Sequence, residues 1–307
     1  MVDDWAKCGD CGRQPAFGTV PSAMSAPPVS QPLPAVTDRL RAAGSVFAES
    51  EAELLVGAAQ SSGDLAALVD LRITGVPLEH ILGWVDFCGV RIAVDPGVFV
   101  PRRRTGLLVR QAADLLRHAA AERPVSVDLC CGSGAVGAVL LDSLDLELHA
   151  VDIDPLAVGC ARRNLPSSGR VYEGDLYGPL PSTLRGRVDV VVANAPYVPT
   201  DAVGMLPPEA REHEPRPALD GGADGLDVLR RVVVEAPQWL APGGHLLVET
   251  SQHQAPRLAE IFGRNGLAPR VIHCEESDAC AVIGTAPPLT SAQGSAGVLP
   301  HSPTLPR

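Results

Sequence analysis

Val125-Ser126-Val127-Asp128-Leu129-Cys130-Cys131-Gly132-Ser133-Gly134-Ala135-Val136-Gly137 is the stretch on which the fold turns. An apolar run of strand length enters a turn whose Gly132, Gly134 and Gly137 spell GxGxxG, and a helical pattern leaves it. Asp152 closes the next apolar run, where an acid that accepts bonds from ribose hydroxyls is found in such folds. The same alternation continues outward. Helical spacing over 107–121, 135–141, 155–164, 226–240 and 255–265 takes turns with strand patterns over 125–129, 148–151, 188–193 and 245–249. Val271 and 281–283 complete the sheet as a hairpin. Strand, helix, strand repeated in this order predicts an α/β fold, a mostly parallel sheet with helices on both faces.

Composition narrows the function classes. Of 307 residues, 46% are hydrophobic and 20% charged, enough for a substantial core. A net charge of −11, from 25 Lys+Arg against 36 Asp+Glu, repels polyanions on average and disfavours direct nucleic-acid binding. With 5 Phe, 3 Tyr and 3 Trp, stacking platforms for single strands are disfavoured as well. No stretch reaches the roughly 18 apolar residues a membrane span needs, and MVDDWAKCGDCG lacks an export pattern, so a cytoplasmic protein is expected. The 8 cysteines are scattered, as reduced thiols are. Cys8 and Cys11 form a CxxC pair with no second pair, and no metal site is expected.

Along the chain, the Pro-rich ends 1–35 and 286–307 are expected to be disordered, and Met24 offers an alternative start. A small helical module is expected over 36–85, with Leu54, Leu55, Ala58 and Ala59 at helical spacing, then Leu65, Leu68, Val69 and Arg72 after a cap at Asp64. A hairpin turning at Gly89 occupies 86–100, and the α/β domain 101–285. Trp84 and Trp239 read as core or seam residues, and His149 as a hydrogen-bonded structural histidine.

GxGxxG alone does not choose between adenosine-containing ligands, and a nicotinamide oxidoreductase would carry it too. Asp128 separates the readings. A carboxylate beside a pyrophosphate is repulsive by several kcal/mol in a partly buried site, whereas the sulfonium and ammonium of S-adenosylmethionine suit it. The alternative for Asp128 is a helix or turn cap; for Asp152, a loop carboxylate.

Asn194-Ala195-Pro196-Tyr197-Val198-Pro199, after the strand at 188–193, resembles the (D/N)PPY signature of methyltransferases that modify planar nitrogens. Glu214-Pro215-Arg216-Pro217-Ala218-Leu219-Asp220-Gly221-Gly222-Ala223-Asp224-Gly225-Leu226 resembles the EPxxALxGGxDGL run of the HemK-type protein-(glutamine-N5) methyltransferases, which modify peptide chain release factors. Gly75-Val76-Pro77-Leu78-Glu79-His80-Ile81-Leu82-Gly83 is similar to that family's GxPxxxIxG, and Val100-Pro101-Arg102 with Thr105 to part of its IPRPxTE loop. The resemblance covers about 36–285 and implies a small N-terminal helical domain, a β-hairpin linker and a class I methyltransferase Rossmann-like, mostly parallel seven-stranded sheet. It implies S-adenosyl-L-methionine as cofactor and a release factor as protein substrate. It also implies that Gly132 and Gly134 take the methionine end, Asp152 the ribose and Asp175 the adenine amino group, with Asp128, Cys130 and Asn194 also against the cofactor. Asn194 would hold the substrate amide, with Ala195, Pro196 and Tyr197 beside it, and Arg102, Glu214 and Pro215 would meet the substrate.

Chemistry supports that use of Asn194. An amide nitrogen is a poor nucleophile because its lone pair is delocalised, so it must be aimed rather than strongly deprotonated. The Asn194 side-chain oxygen and the Ala195 carbonyl can accept its two N–H bonds, while Tyr197 lies against the flat amide and excludes water. The alternative for Asn194 is a turn former. Three departures from the family pattern stand out: Ala195 in place of the first proline, Cys130 in place of the first glycine, and Arg102-Arg103-Arg104-Thr105-Gly106 where acids are usual. The arginine triplet reads as a solvated charge run, or as a basic groove with Arg162 and Arg163. That groove would favour the alternative of an N6-adenine or N2-guanine methyltransferase. A catalytically silent cofactor-binding protein is the remaining alternative.

Overall fold

The computed structural model describes residues 33–288, so the CxxC pair, Met24 and nearly all of both Pro-rich ends lie outside the described residues. Helices α1 (Leu33–Ala42), α2 (Ala48–Ala58), α3 (Ser62–Ile73) and α4 (Leu78–Leu82) come first. Their shared core is Val36, Leu40, Ala52, Leu55, Leu65 and Val69. Helix α3 is capped by Ser61, which accepts from the Asp64 amide at 3.1 Å, rather than by Asp64. Asp64 instead reaches back to accept from the Gln60 amide at 2.9 Å, one residue before the cap. Leu54 faces solvent, because the buried stripe of α2 runs through Ala48, Ala52 and Leu55.

Strands β1 (Trp84–Phe87) and β2 (Val90–Ala93) form the antiparallel hairpin. Its two-residue turn holds Cys88 at φ 53° and Gly89 at φ 79°. Two left-handed residues match the twist of the flanking strands. Trp84 carries the Arg91 guanidinium 3.9 Å above its ring.

The α/β part runs α5 (Gly106–Arg117), β3 (Val125–Leu129), α6 (Ala135–Ser143), β4 (Glu147–Asp152), α7 (Pro155–Asn164), β5 (Gly169–Glu173), β6 (Val188–Ala193), α8 (Pro208–His213), α9 (Asp227–Glu235), β7 (Leu240–Thr250), α10 (Ala255–Arg264), β8 (Ala268–Cys274) and β9 (Ala279–Thr285). The seven strands lie in the order β5-β4-β3-β6-β7-β9-β8, with β9 antiparallel to both of its neighbours and the remaining pairings parallel. Every residue of β3 is buried, as a central parallel strand covered on both faces must be. Strand order reverses between β4 and β6 around β3, which places a crevice at the carboxyl ends of these strands.

Differences from the expected elements have local causes. Helix α9 stops at Glu235 and tightens into a 3-10 turn over Ala236–Gln238, because Pro237 cannot continue the ladder. Strand β5, Gly-Arg-Val-Tyr-Glu, is an edge strand without a buried face, so it carries no apolar alternation to read. His149 is buried between Glu147 and the Tyr172 hydroxyl at 3.1 and 3.0 Å, a structural role. Trp239 stacks on Tyr177 in the core.

Candidate active site

The glycine turn needs its residue types. Cys130, Gly132 and Gly134 all have positive φ, at 54°, 55° and 77°. Glycine adopts this freely and cysteine only under constraint. A Cβ on Gly132 would meet nothing within 4 Å, so its backbone lies open to the cleft. Gly134 is turned the other way: a Cβ there would come 3.2 Å from the Ala161 backbone, so this glycine lets α6 close on α7. Gly137 performs the same service against β4, where an added Cβ would sit 2.7 Å from Leu148.

Two carboxylates brace this turn. Asp152 accepts from the Gly132 amide at 2.8 Å and from the Asp154 amide at 2.9 Å. Asp128, at the buried end of β3, accepts from the Gly137 amide at 3.1 Å, so the capping reading holds for one of its oxygens. Burial pushes the Asp128 carboxyl up to about 7, against the Gly137 N–H and with help from the Asp152 charge. Beside them lies a cleft of about 500 Å³, within the range of small-molecule sites, lined among others by Asp128, Cys130, Gly132, Asp152, Asp175 and Asn194. The Ser133 hydroxyl, on the same lining, is buried without a partner. Asp175 is exposed at the mouth and paired with Arg231, which also lines the cleft. Carboxylates, an open glycine backbone and an orphan hydroxyl in a largely apolar cleft fit a cationic adenosine ligand such as S-adenosylmethionine.

The loop after β6 forms the other end. Asn194 lines the cleft and its Nδ2 donates to Thr105 Oγ1 at 3.2 Å, leaving Oδ1 without a partner among the described residues. Ala195 is buried beneath it, and Tyr197 is half-buried with its hydroxyl donating to Glu249 Oε1 at 3.3 Å. Glycine backbone packs directly on this loop. A Cβ on Gly221 would lie 2.7 Å from the Pro196 carbonyl oxygen, and one on Gly225 would lie 2.3 Å from that of Tyr197. Gln254 ties the two loops by donating to the Tyr197 and Asp224 carbonyls at 2.9 and 3.0 Å.

Two members of the arginine triplet are not a solvated run. Arg102 donates to both oxygens of buried Glu214 at 2.6 Å, and Glu214 also accepts from the Val100 amide at 3.1 Å. Arg104 donates to buried Glu249 at 3.1 Å, and only Arg103 projects freely. Arg163 pairs with Asp95 away from the triplet. Pro215 lines the cleft. Thr105, Glu249, Gln254 and Arg231 carry contacts here that sequence reasoning did not assign. Glu249 had one signal, an acid at the carboxyl end of a buried strand.

Comparison with known proteins adds a family. The model of the Methyltransferase small domain matches residues 89–205. The release factor glutamine methyltransferase of Geobacter sulfurreducens is 40% identical over 203 residues, covering 65% of this chain and 69% of that one. That of Mycolicibacterium smegmatis is 37% identical over 257 residues, 76% of this chain and 88% of that one. The chain belongs to the release factor glutamine methyltransferase family. Among solved structures, the release factor-specific protein-(glutamine-N5) methyltransferase of Alicyclobacillus acidocaldarius is 21% identical, covering 62% of this chain and 95% of that one with a TM-score of 0.39. As a member of the release factor glutamine methyltransferase family, the chain is an S-adenosylmethionine-dependent methyltransferase. Its Asn-Ala-Pro-Tyr loop departs from the family signature at Ala195, which keeps the backbone carbonyl.

Proposed function

We propose that this chain acts in the cytoplasm on a peptide chain release factor, methylating the N5 side-chain amide of one glutamine. The supporting observation is the placement of Asn194 on the same cleft as Gly132 and Asp152, with its amide nitrogen engaged by Thr105 and its oxygen free. S-adenosylmethionine brings a methyl group on a positively charged sulfur. Gly132 and Asp152 would hold it, with Asp128 and Ser133 near its methionine end. Asn194 Oδ1 and the Ala195 carbonyl accept the two N–H bonds of the substrate carboxamide, which presents its nitrogen towards the electrophilic carbon. Tyr197 and the Gly221 and Gly225 backbone keep the loop rigid and dry. No side chain in the arrangement is required as a strong base.

No helix among the described residues is long and apolar enough to cross a membrane. Among those residues no cluster of His, Cys, Asp or Glu could hold a metal ion. The test is transfer from methyl-labelled S-adenosylmethionine to purified release factors, followed by peptide mapping. One labelled glutamine is the expected result. Labelled adenine or guanine in RNA or DNA, with unlabelled release factor, would replace this reading by the nucleic-acid alternative.

A further inference from the structure

A carboxamide can present either its oxygen or its NH₂, and only the oxygen of Asn194 suits a substrate N–H. Thr105 alone does not decide between them, because a hydroxyl both donates and accepts. Buried on the far side of Thr105 is Glu249, whose ionised carboxylate only accepts. Its Oε1 is taken by Arg104 Nε at 3.1 Å and the Tyr197 hydroxyl at 3.3 Å, while Oε2 is buried without a partner. Thr105 follows Arg104 in the chain, its hydroxyl helps hold the Glu249 carboxyl down, and its Oγ1 already accepts from Asn194.

We infer that Glu249 is a positioning residue that sets the polarity of the methyl-acceptor site. Its carboxylate takes the Thr105 hydroxyl hydrogen, Thr105 Oγ1 is thereby left to accept from Asn194 Nδ2, and Asn194 Oδ1 is turned to the substrate amide. Glutamine in place of Glu249 weakens this bias, because a carboxamide offers a donor as well as an acceptor. When its NH₂ faces Thr105, the hydroxyl donates to Asn194 Oδ1, and the Asn194 NH₂ confronts the substrate NH₂. Arg104 gains a purpose here: its charge favours the ionised form of Glu249. The charged and titratable groups meeting Glu249 are Arg104, from the turn before α5, and Tyr197, from the loop after β6; β9 sets Ala281 opposite it. Burial raises the Glu249 carboxyl, and Thr105, Arg104 and Tyr197 oppose the rise.

The inference rests on the proposed glutamine reaction, and its test separates the two. Wild-type protein, E249Q, T105V and T105S are compared for methyl transfer to release factor, for binding of a glutamine-containing release-factor peptide to the S-adenosylhomocysteine complex, and for S-adenosylhomocysteine affinity alone. T105V is expected to lose about tenfold in peptide affinity and at least as much in kcat, the worth of one hydrogen bond, and E249Q to lose in the same direction by about three- to tenfold. S-adenosylhomocysteine affinity stays within about threefold, and T105S, which keeps the hydroxyl, recovers most of the transfer. Wild-type kcat falls with falling pH as Glu249 protonates, and E249Q lacks that acid limb. Peptide binding and a pH profile unchanged in E249Q and T105V overturn the inference. If E249Q does not fold, T105V against T105S decides alone. A wild-type protein that transfers no methyl to release factor refutes the proposed reaction instead.

Discussion

At Asp128, burial and charge pull in opposite directions. Burial raises its carboxyl to about 7, against a bond from the Gly137 amide, while a cationic ligand in the cleft favours the ionised form. Two outcomes follow from the sign. Because the folded-state value lies above the unfolded one, the ligand-free protein binds more protons folded than unfolded, and loses stability as pH rises from about 4 to about 7. S-adenosylmethionine affinity moves the other way, strengthening as pH rises through about 7. Calorimetric titration between roughly pH 6 and 8 should show this in wild type and a flat profile in Asp128→Asn. The residues that brace the site were unevenly legible. Asp128 and Asp152 stand at the ends of readable strands. The arginine triplet reads as solvated because a charge run in sequence does not reveal buried acids more than 100 positions away, as the Arg102–Glu214 and Arg104–Glu249 separations of 112 and 145 show.

Among the elements, the turn between α8 and α9 matters for what it lacks. Gly225 has φ 75° and leaves no room for a Cβ beside the Tyr197 carbonyl and Gln254. Gly225→Ala combines a left-handed alanine with a backbone clash, and is expected to cost about 2–4 kcal/mol, read by thermal or urea unfolding, together with most of the methyl transfer. Gln254→Ala frees the Tyr197 and Asp224 carbonyls without adding bulk. Its expected cost is smaller, about 1–2 kcal/mol by the same unfolding measurement, for part-buried acceptors left unpaired. Central strands and the helices between them are legible because a buried parallel strand must be a continuous apolar run. Strand β5 is not, since an edge position asks for no such pattern.

Across the whole molecule, the helical module meets the α/β part through Arg72. Its guanidinium is largely buried, bonded to Glu51 at two points of 2.9 Å each and reaching Glu209 of α8 at 2.5 Å. Glu209→Gln keeps the shape while removing one charge, and is expected to raise KM for the protein substrate by about two- to fivefold at unchanged S-adenosylmethionine affinity, the scale of a partly exposed ion pair. Steady-state kinetics with intact release factor checks it. The parallel sheet, its glycine turn and the Asn-Ala-Pro-Tyr loop arrive together at one crevice because consecutive strands end on the same side. Everything proposed for the reaction then depends on how a substrate carboxamide sits there. A crystal structure with S-adenosylhomocysteine and a glutamine peptide would show it. The carboxamide nitrogen should lie about 3 Å from both Asn194 Oδ1 and the Ala195 carbonyl oxygen and face the cofactor sulfur. A glutamine side chain bound elsewhere, or Asn194 presenting its NH₂ to it, would contradict the proposed chemistry.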